Sequence, residues 1–227
     1  GKYSRNTPSK ITDVSMKTGL DGDKLVRCSR LSAKIDNTCI QDGYQIYMHN
    51  FILACDEKWS VVQQGMNRED KTARRYHWHS DEITSFVDDP HTAIVGINEG
   101  EILNLSDTRA DAARRSIVEF LSIHPDKQLT EIKSLFSSRH LDMPAHHDVK
   151  EKNVNSKRLG AVLALAYEKQ FRDFTDALLL NGVGPRTIQS LALVSEVIYG
   201  RPARFSDPAR FSFAHGARSA TMAALPK

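Results

Sequence analysis

Two acids that close a helix, Asp36 and Asp42, precede a stretch rich in amides and bases: Gln63, Gln64 and Asn67, then Arg74, Arg75, Tyr76 and His77. Carboxylates hold Mg2+ or Mn2+, amides and imidazoles orient water and substrate, and a guanidinium neutralises developing negative charge. The set therefore has the parts that phosphodiester hydrolysis needs. Asp36, Asp42 and His77 are the first choices for metal binding and catalysis, with Gln64 and Arg75 in support. Period-two alternation does not account for two adjacent glutamines ending an apolar strand. A hydrogen-bonded structural knot is the alternative for the same residues. A second set, His146-His147-Asp148, combines imidazoles with a carboxylate. It can bind a divalent metal, with Asp148 as ligand, or supply a general base, and would complete the site from the later part of the chain.

A third set is built for binding rather than for bond breaking. Leu178-Leu-Leu-Asn-Gly-Val-Gly-Pro-Arg-Thr187 has the parts of a helix-hairpin-helix. Glycines allow a tight turn and a close approach of backbone to ligand. Pro suits the first turn of the second helix, where no N–H is needed, and the free N–H groups of that turn face a phosphate. Gly182, Val183, Gly184, Arg186 and Thr187 are the expected DNA contacts, with Val183 as an apolar plug between the helices. Lys157 and Arg158 add positive charge nearby in sequence. A Gly-stopped turn between two helices is the bland alternative. The ordered Leu-Leu-x-x-Gly-Val-Gly-x-x-Thr favours the hairpin, although Asn181 stands where such motifs usually have Pro.

These residues need elements to hold them. The pattern predicts helices over Pro8–Thr18 and Asp21–Ile40, then a β-hairpin of 44–54 and 59–65, a third strand at Arg75–Trp78 and an edge at Ile102–Leu105. From Asp107 the pattern turns helical: Asp107–Ser122, Pro125–Phe136, Ser156–Lys169, Arg172–Leu180 and Pro185–Tyr199, with an irregular tail from Gly200. The expected fold class is α+β, a small antiparallel sheet flanked by helices and followed by a helical region. The expected parts are 1–107, catalytic, and 108–227, DNA-binding.

Composition narrows the classes. The chain is 40% hydrophobic and 26% charged, as in globular proteins, and its net charge of +3 means that any nucleic-acid surface must be a local one. Three cysteines without metal-ligand spacing argue against a zinc or disulfide framework and suit a reducing, cytoplasmic setting. No apolar run spans a membrane.

Several blocks together resemble an archaeal and bacterial family, domain-of-unknown-function family 763. They are Lys34-Ile-Asp-Asn, Gln41-Asp-Gly-Tyr-Gln, Val62-Gln-Gln-Gly-Met-Asn, Ala73-Arg-Arg-Tyr-His-Trp, Met143-Pro-Ala-His-His-Asp-Val, Lys157-Arg-Leu-Gly-Ala, Gly182-Val-Gly-Pro-Arg-Thr and Asp207-Pro-Ala-Arg-Phe. The resemblance implies a nuclease-like part followed by a helix-hairpin-helix part acting on DNA, with a further N-terminal region ahead of this chain. The expected function is a divalent-metal-dependent deoxyribonuclease of DNA repair or recombination, using Mg or Mn and contacting the DNA backbone, with a homodimer left open. The alternative is a non-catalytic DNA-binding or architectural module.

Overall fold

The structure is a computed structural model. Its described residues are 4–137, 144, 146, 147, 156–171 and 173–210, with backbone alone at 136–137 and 156–158. Among them the chain is α+β, with seven α-helices and two small antiparallel sheets.

Helix α1 (Thr7–Thr18) has Pro8 in its first turn and stops at Gly19. Helix α2 (Gly22–Lys34) is capped by Asp21, whose carboxylate accepts from the Lys24 N–H at 3.0 Å. Regular helix was expected to continue to Ile40. It gives way after Lys34 to a π-helical turn, Ile35–Cys39, in which the Ile40 N–H reaches back to the Ile35 carbonyl. That widening re-aims Asp36 toward the sheet, and such turns recur at functional sites.

Strand β1 (Ile40–Gln41) leads into the main sheet, a meander of β2 (Gln45–Leu53), β3 (Trp59–Met66), β4 (Ala73–His79) and β5 (Ala93–Val95) in that order. Side chains alternate across it: Trp59, Val61 and Gln63 face the core, as do Tyr76 and Trp78. The edge expected at Ile102–Leu105 does not join this sheet. Strand β6 (Leu103–Asn104) pairs instead with β1 and with β7 (Arg204–Phe205). The region after Gly200, expected to be irregular, thus contributes a strand, because partners distant in sequence supply its ladder.

The helical run holds α3 (Asp111–Leu121), α4 (Pro125–Ser137), α5 (Ser156–Lys169), α6 (Phe174–Leu179) and α7 (Pro185–Val197). One hydrophobic cluster runs from Ile11 and Leu25 through Trp59 and Trp78 to Ile117, Leu163, Leu178 and Leu191, so the core is continuous across the expected boundary at 107/108. A second, smaller cluster gathers Ile40, Tyr76, Ile94, Ile102 and Ala209. Helix α2 packs on α6, and the π-helical turn packs on α7, which brings the two halves of the sequence against each other. No helix among the described residues is long and apolar enough to cross a membrane.

Candidate functional site

Asp42 sits in a closed ion network. Its carboxylate accepts from Arg74 Nη1 at 2.8 Å, the Tyr76 hydroxyl at 2.5 Å and the Tyr44 N–H at 3.0 Å. Arg74, with a fully buried side chain, also donates to Asp207 at 2.7 and 3.1 Å, and its guanidinium lies 4.5 Å over the Tyr44 ring. Asp207 accepts in addition from the N–H groups of Glu99 and Ala209. Burial works against the Arg74 charge, but the two carboxylates raise its pKa above the ordinary value. Burial likewise pushes Asp42 up to about 6, with Arg74 pulling the other way. Both Asp42 oxygens already accept hydrogen bonds. The group is geometrically a strut joining β1, β4 and the segment at Asp207, rather than an open metal ligand.

Asp36 belongs to a different network. From the π-helical turn it accepts from Trp78 Nε1 at 3.0 Å and from Gln63 Nε2, and it meets His91 Nε2 at 2.5 Å. Gln63 Oε1 lies 2.9 Å from His49 Nδ1, and His49 Nε2 lies 2.9 Å from Ser29 Oγ. Burial holds the His49 pKa below its usual value. The chain ends at a cavity of about 410 Å3 whose wall includes Ser29, His49, Gln63, Arg30, Lys34 and Asn37. No hydrogen bond joins Asp36 to Asp42 among the described residues. Asp36 and Asp42, two of the three residues expected to hold a metal, each have their own partners. Asp148 lies outside the described residues.

The supporting residues point the other way. Gln64 pairs with Arg75 across β3 and β4, and Val62 pairs with His77, so Gln64, Arg75 and His77 share the sheet face opposite Gln63 and Tyr76. Arg75 Nε reaches Gln64 Oε1 at 3.4 Å. Partial burial, then the neighbouring Arg75 and His91, lower the His77 pKa. Of the adjacent glutamines, Gln63 is the one that touches a carboxylate.

A turn with glycines at 182 and 184 joins α6 to α7. Asp173 caps α6 by accepting from the Asp176 N–H at 2.9 Å. Val183 is buried between the helices, where its side chain contributes about 1.5 kcal/mol of burial. Gly182 has φ +91, and a Cβ on it would lie 2.8 Å from Val162 Cγ2 of α5. Gly184 has φ −147, ordinary extended backbone, and a Cβ there meets nothing within 4 Å. Pro185 then opens α7 with no side chain capping it, which leaves the first-turn N–H groups of Arg186 and Thr187 without intrahelical acceptors. Arg186 is exposed. The first half of the chain supplies a buttress that local sequence did not indicate: Lys34 Nζ donates to the Val183 carbonyl at 2.5 Å, and Gln41 Nε2 to the Pro185 carbonyl at 2.9 Å. Burial, then Arg30, lower the Lys34 pKa. Lys157 and Arg158 lie in the first turn of α5, but their side chains are outside the described residues.

At the other end of α7, Glu196 faces both neighbouring histidines. His146 Nε2 lies 3.0 and 3.2 Å from its two oxygens, and His147 Nε2 lies 3.0 Å from one of them. Phe205 of β7 packs against both rings, with centroids 4.2 and 5.0 Å away. Burial lowers the His147 pKa, with Glu196 opposing. Glu196, about fifty residues further along the chain, carried no sequence signal of its own.

No curated protein and no solved structure matches the chain. One family does, over residues 1–223, nearly the full length, and the chain accordingly belongs to the family described as "Protein of unknown function (DUF763)".

Proposed function

We propose that this chain docks on the backbone of DNA through the hairpin Gly182–Thr187. The observation that carries the reading is the half-buried glycine turn feeding the uncapped N-terminus of α7, with exposed Arg186 in its first turn and Lys34 bonded to the Val183 carbonyl. A helix N-terminus concentrates unpaired N–H groups and about half a positive charge, which suits a phosphate oxygen. Such contacts read backbone and carry no base sequence. A cytoplasmic setting fits the three free thiols, Cys28, Cys39 and Cys55.

Fluorescence anisotropy of the full chain with labelled single- and double-stranded oligonucleotides of several sequences tests the reading. Affinity should be sequence-tolerant and fall steeply with salt. Gly184→Val, whose Cβ would meet nothing within 4 Å, should weaken binding about tenfold or more while the fold is kept. Unchanged affinity in the folded variant refutes hairpin docking.

A second reading adds chemistry: a metal-dependent deoxyribonuclease acting in repair or recombination. It is favoured by one observation, the convergence of His146, His147 and Glu196, since Asp36 and Asp42 are engaged elsewhere. Cleavage of the same oligonucleotides in Mn2+ but not in chelator supports it; binding without cleavage under every metal leaves the architectural module.

A further inference from the structure

We propose that His146, His147 and Glu196 form a binding site for one divalent transition-metal ion, independent of DNA docking at the hairpin. Three potential ligand atoms, one from each residue, lie within 4.8 Å of one another. The carboxylate–imidazole separations are 3.0–3.2 Å. A metal bonded at about 2.0–2.1 Å in tetrahedral geometry holds its ligands roughly 3.3 Å apart, so the two carboxylate–imidazole edges are close to those of neighbouring corners around a single ion.

Charge and packing agree with this. Glu196 brings the one negative charge, and it faces the Nε2 atoms of both imidazoles. Both rings are pinned by Phe205, and the carboxylate is carried on the last turn of a thirteen-residue helix, so the donors are held in place before a metal arrives. Exposure is graded: the His147 side chain is 1% accessible, Glu196 16% and His146 34%. Three protein ligands with one side open to solvent leave a coordination position for water or a substrate oxygen, the pattern of reactive rather than purely structural sites.

The donor set also decides the metal class. Two imidazole nitrogens and one carboxylate suit Zn2+, Mn2+, Fe2+ or Co2+, whereas Mg2+ and Ca2+ prefer an all-oxygen shell. Metal binding must weaken on acidification, because the ligating nitrogens take up protons.

The test uses the full chain stripped with chelator and dialysed against Zn2+, with bound metal counted, and Co2+ as a spectroscopic probe. Wild type should retain one equivalent more than Glu196→Gln and show visible Co2+ bands that the variant lacks. His146→Gln, at the most exposed ligand, is the second variant and decides the matter should Glu196→Gln misfold. Equal stoichiometry and spectra in wild type and a folded variant, or no binding by wild type, overturn the proposal. DNA affinity is measured separately in chelator. A chain that binds metal but no DNA keeps this site and loses the hairpin reading; the converse result does the opposite.

Discussion

The Asp42–Arg74–Asp207 network and the His146–His147–Glu196 cluster both place charge against apolar surroundings, and they differ in how the charge is balanced. In the first, a buried cation lies between two buried carboxylates, with the Tyr76 hydroxyl and three backbone N–H groups completing their oxygens. In the second, three Lewis bases surround a point on the flank of α7, and the histidine nearer solvent is a third exposed. A network whose own charges cancel is architecture, because removing a member strands the others in low dielectric. A set of bases that converge without an internal cation is the geometry on which the proposed metal site rests. The Asp36 chain stands between these two, saturated at the carboxylate but ending at Ser29 and His49 on a cavity.

The largest effect is expected inside the closed network. Arg74→Met leaves two buried carboxylates without their cation and should cost about 3–5 kcal/mol, read by urea denaturation. A loss below about 1 kcal/mol would show that the network is not what holds β1, β4 and Asp207 together. Next comes the hairpin. Gly182→Val places a side chain at φ +91 and against Val162, and should cost roughly 1–3 kcal/mol, whereas Gly184→Val should change stability by no more than about 0.5 kcal/mol. Equal losses at the two glycines would remove the distinction between the strained turn and the open one. Neutralising Lys157 and Arg158 together should flatten the slope of log affinity against log salt by about two; an unchanged slope places the phosphate contacts elsewhere.

Smaller effects sharpen the contrast. Without metal, Glu196→Gln should alter stability by only about 0.5 kcal/mol, because His146 is partly exposed and the Gln amide can still hydrogen-bond to the buried His147. A loss comparable with that of Arg74→Met would make the open cluster architectural as well. The smallest is a pH effect. His49 has a folded pKa below its unfolded value, so its contribution is present above pH 6.5 and is lost as pH falls through the lowered folded value. Melting temperature should therefore decline with acidification, and His49→Gln should flatten that decline. A curve unchanged by the substitution would assign the acid sensitivity to other groups.

The hairpin was the most legible part of the molecule. Its turn, plug and helix start are consecutive residues, and Leu178–Thr187 states them in order. The first two strands and most helices were legible too, because periodicity is a local signal. The small sheet of β1, β6 and β7 was not, since two-residue strands carry no period and their partners lie some sixty to one hundred residues away. Residue type at the polar centre was also informative, but connectivity was not. Asp36 and Asp42, six positions apart, lie within a π-helical turn and just past β1, and they enter different networks.

By itself the sequence determined the α+β class, family membership and the glycine turn between two helices, all of which rest on residue order and short-range periodicity. Only the tertiary structure decided that Gln63 rather than Gln64 meets the carboxylate, that Arg74 neutralises Asp42, and that Glu196 completes the histidine pair. The physical reason is that burial and charge pairing act between whatever side chains the packed helices and sheet bring into contact. Those contacts here join residues thirty to one hundred and thirty positions apart, over which no local pattern extends.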